Sequence, residues 1–188
     1  MSRIGVIVGS TRPNRVSPLA AERVLGRAKS VLADHSVELI DLADVNLPFF
    51  DEALPPAAGP GANPHTTAWA ARVAEYDGFV IVTPEYNAGY PAVLKNALDY
   101  LFAEWAGKPV AVVAYGWHGG ARVMNARTPV LGNLKMSELP GVGIQFGQHI
   151  VDGAWAADED TLAALDAQLD GLAARLGEAL TEKSAENA

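Results

Sequence analysis

Arg3-Ile4-Gly5-Val6-Ile7-Val8-Gly9-Ser10-Thr11-Arg12-Pro13-Asn14-Arg15-Val16-Ser17-Pro18 decides the fold. Four of the five positions from Ile4 to Val8 are aliphatic, with no polar residue between them. A continuous apolar run of that length suits a strand covered on both faces, which is the habit of parallel sheets. The nine residues from Gly9 to Ser17 are mostly polar and read as a loop. Ser17-Pro18 then reads as an N-cap followed by a first-turn proline. The helix it opens is expected to reach about Ala33, with Leu19, Leu25, Ala28 and Leu32 on one side.

The same alternation continues along the chain. Further β-runs are Val37 to Leu42, Phe79 to Thr83, Val110 to Tyr115 and Gly141 to Gln148. Helical spacing marks a short segment near Thr66 to Glu75 and a segment opened by Pro91, on which Val93, Leu94, Ala97, Leu98, Leu101 and Phe102 recur. Ala121 to Lys135 reads as a helix that Pro129 should break or kink. Glu159 to Thr181 carries leucines at steps of three and four. Between Ala43 and Pro64 lies a long loop rich in Pro, Gly and Ala, with Phe49-Phe50 inside it. Five β-runs alternating with helices imply an α/β, doubly wound parallel sheet with helices on both faces. One domain is expected over 1–181, with a frayed tail at 182–188.

Composition narrows the classes. With 49% hydrophobic and 19% charged residues, the 188-residue chain is globular in character. A formal charge of −8 and the absence of any Lys/Arg run argue against nucleic acid as a partner. The lack of cysteine removes disulfides, thiolate catalysis, cysteine-ligated zinc and iron–sulfur clusters, and fits a cytoplasmic protein. No signal-peptide pattern and no apolar stretch near the roughly 18 residues of a membrane span are found, so no membrane insertion is expected.

Ligands of an open parallel sheet bind beyond the carboxyl ends of its strands, where strand order reverses. Three loops qualify. Gly9–Ser17 holds Ser10, Thr11, Arg12, Arg15 and Ser17 at a helix N-terminus, whose free N–H groups and partial positive charge suit a phosphate. Neither Gly-Lys-Ser/Thr nor Gly-x-Gly-x-x-Gly is present, so a mononucleotide phosphate is favoured over a pyrophosphate; a plain polar turn is the competing explanation. Thr83-Pro84-Glu85-Tyr86-Asn87-Ala88-Gly89-Tyr90-Pro91 is stiffened by two prolines, with Gly89 allowing close approach or positive φ. Its Tyr86 and Asn87 could meet a flat heterocycle, or the loop could be a rigid turn with Glu85 solvated. Tyr115-Gly116-Trp117-His118-Gly119-Gly120 could offer backbone N–H groups to ring carbonyls, or be a flexible turn.

His118 has no paired residue in the sequence and reads as a surface or ring contact rather than an acid or base. His35, His65 and His149 are scattered without metal-ligand spacing, so no metal is expected. No Gly-x-Ser-x-Gly elbow supports a hydrolase.

The first loop together with Pro84-Glu85-Tyr86-Asn87-Ala88-Gly89-Tyr90-Pro91-Ala92-Val93-Leu94-Lys95-Asn96-Ala97-Leu98-Asp99-Tyr100-Leu101 resembles the NADPH-dependent FMN reductase family, which includes quinone, azo-dye and chromate reductases. The resemblance implies a flavodoxin-like sheet of order 2-1-3-4-5. It implies FMN phosphate on Ser10, Arg12 and Ser17, helped by Thr11 and Arg15. It places Pro84, Glu85, Tyr86 and Asn87 along the isoalloxazine, and Gly116, Trp117, His118 and Gly119 at the other end of the ring. Pro18 and the Trp117-His118 pair depart from the usual pattern. Relatives are usually homodimers or dimers of dimers, which makes the Pro91 helix and the Phe49-Phe50 loop candidate interface elements; packing within one chain is the alternative for both phenylalanines.

The implied activity is ping-pong: NADPH or NADH passes a hydride to flavin N5, and a small acceptor (quinone, azo compound, metal ion or free flavin) then takes the electrons. No side chain need act as nucleophile, so no catalytic residue is assigned. Two other readings compete: an electron-transfer or redox-sensing flavoprotein without its own nicotinamide turnover, and a ligand-binding α/β module without flavin.

Overall fold

The computed structural model describes residues 1–186. The opening apolar run forms β1 (Arg3–Val8), followed by α1 (Ser17–Val31) and β2 (Ser36–Asp41). Next come a single turn of helix, α2 (Leu42–Val45), a 3-10 turn at Pro56–Ala58, and α3 (Pro64–Ala74). The centre of the chain gives β3 (Gly78–Pro84), α4 (Ala92–Asp99), β4 (Pro109–Gly116) and α5 (Ala121–Asn133). The remainder gives β5 (Ser137–Glu138), β6 (Val142–Gln145), a hairpin of β7 (Ile150–Val151) and β8 (Ala154–Trp155), and α6 (Glu159–Glu186). The main sheet is parallel, in the order β2-β1-β3-β4-β5, with β6 also paired to β4.

Alternate side chains of the strands feed two cores. Val6, Val8, Val80, Val82 and Val113 pack with α1 and α6. Ile7, Phe79, Ile81, Val110 and Val112 pack with α3, α4 and α5 on the opposite face. Every residue of β3 and β4 is buried, which is why these strands read as unbroken apolar runs. Gly5 keeps the second face clear, since a Cβ there would sit 2.9 Å from the Phe79 ring. On the first face, Arg23 bonds Asp166 at 2.7 and 2.9 Å, and Arg27 pairs with Asp170, which ties α1 to α6.

Several expectations need correction. The buried stripe of α1 is Ser17, Ala20, Ala21, Val24 and Ala28, while Leu19 and Leu25 lie at its margin; small residues let the helix sit close to the sheet. The fifth strand is two short pieces, because Pro140 has no N–H to continue the ladder between them. Of the break or kink expected at Pro129, the break is absent: helix α5 continues through it. The carbonyl that loses its partner there belongs to exposed Asn125, where water can take the bond. Helix α4 stops at Asp99, short of Phe102. Helix α6 runs on to Glu186, so positions 182–186 are helical; 187–188 lie outside the described residues. Among the described residues no helix is long and apolar enough to cross a membrane.

Candidate functional site

β1 is flanked by β2 on one side and β3 on the other, so strand order reverses beside it. The turns leaving β1, β3 and β4 all open at this carboxyl edge, and hydrogen bonds join them to one another.

The turn after β1 begins where the Gly9 N–H donates to the Val82 carbonyl at 2.8 Å. Ser10 is fully buried, with its hydroxyl 3.0 Å from the Tyr86 hydroxyl and 3.4 Å from the Arg12 N–H that it accepts. Ser17 is not the cap: Val16 takes that position and makes no side-chain capping bond. The buried Ser17 hydroxyl instead meets the Tyr115 hydroxyl at the end of β4. Burial pushes the Tyr115 hydroxyl up to about 12. Arg15 pairs with Asp41 at the end of β2 through Nη2 while its buried Nε has no partner, and the Asp41 carboxylate also accepts from the Ala43 N–H at 2.9 Å to cap α2. Thr11 and Arg12 are exposed, and Arg12 makes no ion pair among the described residues.

The turn after β3 is a two-residue reversal. Tyr86 N–H donates to the Gly89 carbonyl at 2.8 Å, and Gly89 N–H returns a bond to Tyr86 at 2.9 Å. Its central residues, Asn87 and Ala88, have φ of 49° and 66°. That is the type I′ pattern, and the positive φ expected of Gly89 falls on its neighbours. Glu85 donates its N–H to the Tyr115 carbonyl at 2.9 Å, and its carboxylate accepts from the Arg122 N–H at 2.9 Å, in the first turn of α5. Its side chain is 12% exposed, so it caps a helix rather than standing solvated.

The turn after β4 places Gly119 and Gly120 at φ of 60° and 69°, so the chain doubles back into α5. A Cβ on Gly120 would lie 2.4 Å from that of Ala114. Trp117 is 72% exposed and meets Phe146 edge-on at 5.7 Å between ring centroids. His118 is exposed, and its carbonyl accepts from Ala121 N–H at 3.2 Å. A groove of about 330 Å³ is lined by Arg12, Val16, Trp117, Phe146, Ile150 and Asp152.

Tyr115, Asp41, Arg122 and Phe146 belong to this edge, although sequence reading did not single them out. A lone hydroxyl closing the otherwise aliphatic β4 run was the available signal for Tyr115. Away from the edge, Phe50 packs on Tyr100 at 5.2 Å between ring centroids, while Phe49 is 82% exposed.

Comparison with known proteins follows the same outline. The model of the family described as NADPH-dependent FMN reductase matches residues 2–149. An NAD(P)H-dependent FMN reductase of Schizosaccharomyces pombe is 44% identical over 140 residues, covering 73% of this chain and 70% of its own. A quinone reductase of Pseudomonas putida is 30% identical over 163 residues, covering 84% of this chain and 82% of its own. The solved structure of FerB, a flavoenzyme NAD(P)H:(acceptor) oxidoreductase from Paracoccus denitrificans, superposes with a TM-score of 0.74 at 24% identity, covering 95% of this chain and 98% of that one; this likeness speaks to the fold.

Proposed function

The chain belongs to the NADPH-dependent FMN reductase family, and from that premise we propose that it is an FMN-dependent oxidoreductase passing reducing equivalents from NADPH or NADH to a small acceptor. Quinones are the first acceptor class to try, given the relative named for them; azo compounds, metal ions and free flavin follow.

The donor set at the sheet edge fits FMN. Arg12 and Thr11 stand open at the N-terminus of α1, where first-turn N–H groups have no partner within the helix. They would hold the phosphate, together with backbone N–H groups of the same turn. Ser10 and Ser17 would shape that turn through their bonds to Tyr86 and Tyr115 and would keep hydrogen-bonding capacity for the phosphate. The ring would lie against Pro84, Glu85, Tyr86 and Asn87 on one side and Gly116, Trp117, His118 and Gly119 at its other end. FMN supplies a two-electron carrier whose N5 accepts hydride and releases electrons to an acceptor. The protein's part is to orient the ring, hold its charge and leave one face open to both substrates in turn.

The observation that carries this proposal is the linkage of the three turns by the Ser10–Tyr86, Ser17–Tyr115 and Glu85–Arg122 bonds, which makes one cradle of three loops. A stopped-flow experiment under anaerobic conditions tests it: NADPH or NADH should bleach the oxidised-flavin band of the FMN-loaded protein. If neither nicotinamide bleaches it, the reductase assignment is wrong. Exposed Phe49 (82%) and Leu54 (67%) support a homodimer, which sedimentation would reveal.

A further inference from the structure

Among the described residues, Glu85 is the carboxylate that joins the second and third turns of the cradle. Its Oε2 accepts the Arg122 N–H at 2.9 Å, and its own N–H donates to the Tyr115 carbonyl at 2.9 Å. A Cβ on Gly116 would lie 3.3 Å from the Glu85 Cβ, so backbone and side chain meet at the seam between the turns. The carboxylate is 12% exposed; its nearest cation, the Arg122 guanidinium, is 4.0 Å away and 63% exposed. A shielded anion therefore faces a solvent-screened partner, and its field is incompletely cancelled.

Glu85 also sits on the positive end of α5. The Gly119 and Ala121 N–H groups are held by the Gly116 and His118 carbonyls at 3.1 and 3.2 Å, and the helix end they lead into would favour extra negative charge on a ring resting on these turns. A carboxylate bound to the first turn offsets that field. Hydride transfer to a flavin brings two electrons and one proton, so one net negative charge is added.

Resting on the FMN assignment above, we propose that Glu85 is a positioning and tuning residue: it fastens the second turn to α5, and its charge holds the reduction potential of the bound flavin low. A lower potential makes the reduced protein a stronger donor, which widens the range of acceptors it can reduce. The Arg122 side chain opposes this effect, more weakly because it is exposed.

The two functions separate by substitution. Glu85→Gln keeps an oxygen to accept the Arg122 N–H and removes only the charge. It should retain more FMN affinity than Glu85→Ala, while its midpoint potential rises by at least the equivalent of a tenfold shift in the oxidised-to-reduced ratio, about 30 mV for a two-electron couple. Arg122→Gln should move the potential the other way by a smaller amount, and added salt should shrink that difference. Glu85→Ala, which loses the bond as well, should weaken FMN binding. Titration of the unmodified protein with FMN comes first: no binding overturns the FMN assignment itself. If FMN binds and Glu85→Gln leaves the potential unchanged, the tuning role is wrong. If Glu85→Gln abolishes FMN binding, the separation of bond from charge is wrong. If Glu85→Gln does not fold, Arg122→Gln decides alone, and an unchanged or raised potential there overturns the proposal.

Discussion

The turns after β1 and β3 flank the same strand-order reversal and use opposite means. After β1, polar side chains turn inward: Ser10 and Ser17 are fully buried on two tyrosine hydroxyls, and Arg15 pairs with Asp41. After β3, the backbone makes the shape through two consecutive left-handed residues, Asn87 and Ala88, and the Glu85 carboxylate is bound to the Arg122 N–H. The contrast teaches that the polar groups of one turn are held differently. Ser10 and Ser17 are buried against tyrosine hydroxyls, while Thr11 and Arg12 are exposed.

The sharpest test sets Arg12 against its neighbour. Arg12→Ala should cost FMN affinity about 2–3 kcal/mol, since a charge-assisted phosphate partner is lost. Calorimetric titration would show this, and a change below about threefold would place the phosphate elsewhere. Tyr115→Phe attacks the inward-facing half of the turn. It strands the buried Ser17 hydroxyl and should cost about 1–2 kcal/mol of stability near neutral pH by urea unfolding. The same variant has a pH signature. Between the ordinary tyrosine value and about 12 the unfolded chain has lost this proton while the folded chain keeps it, so stability falls as pH rises across that window. The Phe variant should lack that part of the alkaline loss, and parallel alkaline melting curves would contradict it. On the β3 side, Ala88→Gly relieves a left-handed alanine and should raise stability by about 0.5–1 kcal/mol, read as a higher melting temperature. The smallest effect is expected from Arg15→Ala. Its pair with Asp41 is partly exposed, so FMN affinity should drop by less than about 1 kcal/mol. A loss equal to that of Arg12→Ala would erase the distinction between donor and scaffold.

Much of the fold was legible because both faces of β1, β3 and β4 are covered, which leaves an aliphatic run with no alternation to misread. The three turns were legible because the carboxyl edge of a parallel sheet selects them. Helix α1 was less legible: its leucines suggest the buried face, but a helix lying close on a sheet buries alanines. The interruption at Pro140 and the passage through Pro129 show one residue with two outcomes, decided by whether its missing N–H was needed at that point.

Strand order apart, the amino-acid sequence by itself determined a layered α/β fold, the positions of the three turns and the family motif, because these depend on residue type and local spacing. Which polar groups remained free was decided only in three dimensions. Tyr115 lies 98 residues from Ser17, Tyr86 lies 76 from Ser10, and Arg122 lies 37 from Glu85. Hydrogen-bond partners are assigned by strand register and helix docking, and no local pattern records which distant hydroxyl or carboxylate will arrive first.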